Sequence, residues 1–153
     1  MRRLRVVLFI AILLTAISST YVVLPNILGI RMEFQTIEKG DHSGHTEEAY
    51  YVINNTEKWA ELWSQHTRVV VPKPPLPEVD FSNSTIIAVF MGEIPYPNYK
   101  IEVKEIIDRG RFVEVRVLKT YTVTMLPVLA EPYHIVKIDK IDKPVIFTSI
   151  VCD

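Results

Sequence analysis

The sequence contains very little cysteine. Cys152 is the single cysteine among 153 residues, so an intrachain disulfide is excluded. It lies one residue before the end and does not follow the N-terminal apolar run, so it is not placed for lipid attachment. A chain of this length has the usual size of one domain. That domain must therefore be held together by its hydrophobic core.

Positive charge is not in surplus, and several catalytic motifs are missing. The chain has 17 Lys and Arg against 18 Asp and Glu. Residues 1–30 hold three arginines and no acidic residue, so the remainder carries 14 − 18 = −4, which disfavours a nucleic-acid partner. No serine or cysteine lies on a recognisable nucleophile elbow, and no phosphate-binding loop is present. These absences predict a protein that is not an enzyme and holds no cofactor.

A long hydrophobic run is present instead. The 25 residues from 6 to 30 carry no charge, and they follow Arg2, Arg3 and Arg5. As a helix they would extend about 37 Å, enough to cross a hydrocarbon layer of about 30 Å. The run is therefore predicted to enter a membrane.

This run divides the chain into two parts. We expect residues 1–30 to be a retained signal anchor, single-pass in the cell membrane with its N-terminus cytoplasmic, and residues 31–153 to be an exported domain. A cleaved signal peptide is the alternative, because the small residues at 16–19 form a weak signal-peptidase cleavage site. Asn54 and Asn83 begin glycosylation sequons, which agree weakly with export.

The exported part is predicted to be rich in β-strands. Runs typical of strands occur at 34–38, 49–53, 85–91, 99–104, 113–117, 133–138 and 144–150. The continuous apolar run 85–91 indicates a strand covered on both faces. In 113–117 apolar and polar residues alternate, so one face of that strand should be exposed to solvent. Gly110 is suited to a hairpin turn at 108–111. The pattern predicts an α+β domain, mainly an antiparallel sheet of six or seven strands with one packed amphipathic helix.

The predicted helix contains both tryptophans of the chain. Asn55 or Thr56 is suited to cap its N-terminus. Four residues form an apolar stripe at positions i, i+3, i+4 and i+7: Trp59, Leu62, Trp63 and His66. We expect the helix to cover the dry face of the sheet, with Trp63 in the core and Trp59 less buried. An exposed partner-binding face is the alternative.

A proline-rich stretch follows the helix. Four of the six residues at 72–77 are prolines, which excludes a helix or a central strand. We expect an extended surface loop. Two overlapping PxxP patterns suggest peptide recognition as the alternative, but the domains that read such motifs are mostly cytoplasmic.

Two histidine patterns have the residue types of a chemical site. His42 and His45 form an HxxH beside Asp41, a spacing that suits a metal, but only Glu47 or Glu48 lies near enough in sequence to add a ligand. An ordinary polar loop is the simpler interpretation.

The second pattern is Tyr133 and His134, with Glu131 near them in sequence. This group could serve as a general base, but no nucleophile accompanies it. His134 lies in an alternating strand, where a packed histidine is the simpler interpretation. Catalytic, cofactor and metal residues are therefore all predicted to be absent.

The order of several segments resembles a known family. The segments EKWAELW, PPLPEVDF, IIAVFMGEIP, YKIEVKEI, EPYHIVKIDK and PVIF together resemble the C-terminal domain of the protease complex subunit PrcB family. The resemblance covers about residues 34–148. It rests on the order and spacing of the segments, since no single segment is specific.

The resemblance implies a non-catalytic subunit that binds and stabilises a secreted or surface protease. The residues that correspond to the family pattern, as fold markers or a possible partner face, are Trp59, Trp63, Asp80, Phe81, Gly92, Pro132, Tyr133 and His134. The alternative is a stand-alone envelope domain with a structural or ligand-binding task and no protease partner.

Overall fold

The computed structural model describes residues 29–95, 99–121 and 129–152. The predicted signal anchor at residues 1–30 lies outside these ranges except for its last two residues. Ile30 already belongs to the first strand, one residue before the predicted start of the exported domain. Within the described ranges, no helix is both long enough and apolar enough to cross a membrane.

The described residues form a mainly β structure with one α-helix, as the sequence predicted. The elements are β1 (Ile30–Met32), β2 (Phe34–Gly40), β3 (Ala49–Ile53), α1 (Thr56–His66), a 3-10 turn (Thr67–Val69), β4 (Ser84–Phe90), β5 (Lys100–Asp108), β6 (Val113–Thr120), β7 (Tyr133–Asp139) and β8 (Val145–Cys152). The seven predicted strands correspond to β2–β8. The eighth strand, β1, is too short to show a periodic pattern.

The strands form two sheets where the sequence predicted one. Sheet I has the order β1-β5-β6-β8, and sheet II has the order β2-β7-β4-β3. Neighbouring strands are antiparallel except for β6 and β8, which are parallel. The division was missed because alternation shows which residues are buried, but not which distant strands share a sheet.

The two sheets and the helix form three layers, with β4 in the middle layer. Ile87 and Val89 point into the core between the sheets, and Ile86 and Phe90 point toward α1. All four are fully buried, which confirms the prediction that this strand is covered on both faces. Sheet II therefore separates two apolar cores.

The helix covers sheet II with its predicted stripe. Asn55 caps it, because the Asn55 side chain accepts a hydrogen bond of 2.9 Å from the backbone N–H of Lys58. Trp59, Leu62, Trp63 and His66 are the buried residues of the helix. The expectation that Trp59 is the less buried tryptophan is wrong, since its exposed fraction is 1% against 5% for Trp63.

The proline-rich loop explains the deep burial of Trp59. The indole Nε1–H of Trp59 donates to the carbonyl of Pro77 at 2.9 Å, and that of Trp63 donates to the carbonyl of Pro74 at 3.4 Å. Residues 72–77 form neither helix nor strand, as predicted, and the loop is tied to the tryptophan side of the helix. It therefore packs on the domain to which it belongs.

Candidate functional site

A chain of hydrogen bonds lies beneath the C-terminal end of α1. The backbone N–H of His45 donates to Ser43 Oγ at 3.2 Å, and Ser43 Oγ is 3.0 Å from His66 Nδ1. On the other side of the imidazole, His66 Nε2 is 3.0 Å from a carboxylate oxygen of Glu38. A neutral His66 satisfies both contacts when Ser43 donates to Nδ1 and Nε2–H donates to Glu38.

Ser43, His66 and Glu38 thus have the order of a nucleophile, a base and an orienting carboxylate. Catalysis would require a substrate to reach Ser43 Oγ. Ser43 and His66 are each only 1% exposed, so no substrate carbonyl can approach the hydroxyl in this structure. Burial lowers the pKa of His66, while Glu38 opposes that shift by favouring the imidazolium. The geometry describes a closed structural network.

His45 lies beside this network and is also enclosed. Its ring stacks on Phe90 with centroids 3.9 Å apart. The side-chain nitrogen Nε2 of Gln65 lies 3.3 Å from His45 Nδ1. Its Nε2 is buried and has no hydrogen-bond partner. Burial, reinforced by His66 and Arg68, lowers the pKa of His45 to about 4. The imidazole is therefore neutral near pH 7.

The HxxH pair does not converge on one point. The His42 side chain is largely exposed, with Nδ1 3.7 Å from a carboxylate oxygen of Glu131, whereas His45 is buried under the helix. Within the described ranges, no group of three or more His, Cys, Asp or Glu residues is placed to hold a metal ion. His42 and His45 thus differ in both environment and partners.

Tyr133 and His134 point to opposite faces of sheet II. His134 lies in the core between the sheets, where its Nδ1 accepts the backbone N–H of Val103 at 3.0 Å and its Nε2 is 2.9 Å from Thr36 Oγ1. These partners place the proton on Nε2. Burial, with a smaller contribution from Lys39, lowers the pKa of His134 to about 4 although Glu102 opposes the shift. His134 joins the two sheets.

Tyr133 belongs to the helix side of sheet II. Its ring meets His66 edge-on with centroids 4.3 Å apart. Burial, together with the nearby Glu38, raises the pKa of its hydroxyl. The structure therefore does not unite Tyr133, His134 and Glu131 in one site, because adjacent residues of a strand face opposite ways.

The remaining predicted fold markers lie in segments between the helix and the strands. Asp80 is exposed, and its carboxylate accepts hydrogen bonds from the Ser82 hydroxyl, the Ser82 backbone N–H and the Asn83 amide, which lower its pKa. Gly92 has a φ of 80°, and a Cβ there would lie 2.8 Å from the backbone nitrogen of Glu48. Phe81 is half-buried, and Pro132 is buried with its carbonyl accepting the N–H of Met91.

An open groove lies between β3 and α1. Its volume is about 370 Å³, and it is lined by Tyr51, Val52, Ile53, Lys58, Glu61, Leu62 and Gln65. Lys58 and Glu61 are exposed helix residues, so the groove presents both charge signs beside apolar strand residues. We name this surface the β3–α1 groove. It is concave and open to solvent.

The network around His66 could not have been found from the sequence. His66 was identified only as a member of the helix stripe, and neither Ser43 nor Glu38 was singled out, because each lies in a different segment. His66 lies 23 residues from Ser43 and 28 from Glu38, so no local spacing predicts that its imidazole contacts their hydroxyl and carboxylate. Comparison of the chain with protein-family models, curated proteins and solved structures finds no match.

Proposed function

We propose that this protein is a membrane-anchored, extracytoplasmic, non-catalytic subunit that binds and stabilises a secreted or surface protease. The proposal rests on the resemblance of residues 34–148 to the PrcB family. The observation that favours it over an enzymatic role is the enclosure of the groups suited to acid–base chemistry. His45, His66 and His134 are each at most 4% exposed, and two of them have both ring nitrogens engaged.

The β3–α1 groove is the contact surface that we assign to the partner. Its strand wall belongs to an edge strand, since β3 pairs only with β4 among the described strands. A partner segment can therefore pack against Tyr51 and Val52 while polar groups meet Lys58 and Glu61. Mixed charge around an apolar centre is common at protein contact surfaces.

The test is affinity capture of the full-length chain from its native membranes, followed by mass spectrometry. We expect a secreted or surface protease to be enriched with the wild-type chain. The matched variant carries Lys58→Glu and Glu61→Lys, which reverse both charges at the groove and leave the net charge unchanged. Capture should fall several-fold with this variant.

Two outcomes would count against the proposal. Capture that never includes a protease would favour a stand-alone envelope domain. Near-stoichiometric zinc in the purified chain, lost on His42→Ala or His45→Ala substitution, would instead support an enzymatic site. Elemental analysis of the wild type and both variants measures this directly.

A further inference from the structure

Strand β8 forms an edge of sheet I and has an unusual composition for that position. It runs for eight residues, VIFTSIVC, without a charge or a proline. Its apolar side chains are unusually open to solvent, with exposed fractions of 47% for Ile146, 42% for Ile150 and 57% for Val151. Long, uncharged, apolar edge strands readily pair with another chain.

The other edge strands are shorter or less regular than β8. β1 has only three residues, and β3 has five. The pairing of β2 is broken by a register shift between Thr36 and Glu38, and β2 also carries Lys39. In contrast, β8 stays in register with β6 over its whole length, from Val145 to Cys152. It has neither a short length, a register shift nor a charged residue to discourage pairing.

The direction of the free backbone groups of β8 follows from two hydrogen bonds at its ends. The carbonyl of Pro144 accepts the N–H of Val113, and the carbonyl of Cys152 accepts the N–H of Tyr121. Backbone groups alternate sides along a strand, so even-numbered residues face β6. The N–H and C=O groups of residues 145, 147, 149 and 151 therefore face outward. Within the described ranges, no strand pairs with them.

We propose that β8 pairs antiparallel with β8 of a second copy of this chain, joining two copies of sheet I across a two-fold axis. The edge is self-complementary, because a two-fold axis places each outward N–H opposite a matching C=O. The strand has no charged residue, so its own copy brings no like charges together. The copy also supplies β-branched neighbours for Ile146 and Ile150. This inference does not depend on a protease partner.

The charged residues of sheet I support this occupant. On the outer surface of the sheet, Glu105 pairs with Arg31 and Arg116, and Glu114 pairs with Arg109 and Arg116. These acidic and basic side chains therefore have partners within their own chain. The uncharged surface of β8 lies beyond them at the edge, where an equally uncharged strand is the best match.

The test measures self-association of the full-length chain in detergent by analytical ultracentrifugation. We expect the wild type to be a dimer that dissociates in the micromolar range. Ser149→Pro removes one outward N–H without touching the β6 ladder, and it should weaken dimerisation at least tenfold. Ser149→Ala keeps that N–H and should remain a dimer.

A second matched pair separates the edge from a general effect of charge. Val151→Lys places a charge on β8 and should also yield monomers. Val69→Lys places the same charge at a residue that is 55% exposed and far from β8 in the chain, and it should remain a dimer. Circular dichroism of each variant verifies that the fold is retained.

Cysteine cross-linking supplies an independent readout in native membranes. In a Cys152→Ser background, single cysteines placed in turn along residues 145–151 should form covalent dimers most efficiently at one position, the one nearest the two-fold axis. A monomeric wild type would overturn the proposal. So would dimers that survive both Ser149→Pro and Val151→Lys, or a flat cross-linking profile.

Discussion

Mild acid should destabilise this domain through two buried histidines. His45 and His134 each have a pKa lowered from 6.5 to about 4, chiefly by burial. The backbone N–H of Val103 donates to Nδ1 of His134. Protonation of Nδ1 would therefore place its N–H directly against the N–H of Val103. The folded state therefore disfavours a proton that the unfolded chain accepts readily below pH 6.5.

The direction and size of the effect follow from these values. A histidine with a lowered folded pKa contributes stability that is complete above about pH 6.5 and is lost progressively toward pH 4. Between pH 7 and pH 5 the loss is about 2 kcal/mol for each of these two histidines, or roughly 4 kcal/mol together. The lowered pKa of the buried His66 adds to this loss in the same direction. A typical domain has a total stability of only about 5–15 kcal/mol. Carboxylates with lowered pKa, such as Asp108 and Glu114, titrate below this window.

The assay is urea unfolding of residues 29–153, followed by circular dichroism at several pH values between 7.5 and 5. We expect the free energy of unfolding to fall by about 1.4 kcal/mol per pH unit for each buried histidine near pH 5. His134→Gln preserves an acceptor and a donor without titrating. It should therefore reduce the pH dependence of the unfolding free energy by the contribution of one histidine, about 1.4 kcal/mol per pH unit near pH 5. Val69→Gln changes an exposed side chain that does not titrate and should leave the slope unaltered. A stability that stays constant from pH 7 to pH 5 would refute the reasoning.

Three further changes test the packing. Trp59→Ala should cost about 3–5 kcal/mol in urea unfolding and at least as much as Trp63→Ala, because Trp59 is the more buried and makes the shorter bond to the proline-rich loop; a clearly smaller cost would contradict this order. Gly92→Ala should lower stability by about 2 kcal/mol or more in the same assay, since it forces a side chain into positive φ and against backbone atoms; a neutral result would show that this turn relaxes. Glu48→Ala should lower the free energy of unfolding by about 2 kcal/mol more than Lys119→Met does, because it leaves the buried ammonium of Lys119 without the carboxylate 2.6 Å away. Equal melting temperatures for the two variants would argue against that ion pair.

The sequence predicted those features that depend on neighbouring residues. The helix, its cap at Asn55 and its stripe follow from a local period, and the turn around Gly110 follows from local backbone freedom. The greater burial of Trp59 was missed because the covering loop lies at Pro77, eighteen residues away. The parallel pairing of β6 with β8 was missed for the same reason, since no local pattern specifies a distant partner.

The candidate site shows the same limit. The histidines could be identified as unusual residues in the sequence, but their roles depend on contacts between different layers. His134 reaches Val103 across the space between the sheets, and His66 at the end of α1 reaches Glu38 on β2. Periodicity shows that such a side chain is buried, but not which group it contacts there.

The strand order has a consequence for folding during synthesis. Phe34 in β2 pairs with Ile138 in β7, and β8, which completes sheet I, is the last of the strands that the structure describes. When the ribosome has made β2, β3 and α1, sheet II still lacks its central strands, and α1 has no complete surface to cover. Such distant pairing slows folding, because a long loop must close before any contact rewards it. We therefore expect the tryptophans of α1 to stay available to chaperones until β7 has been made.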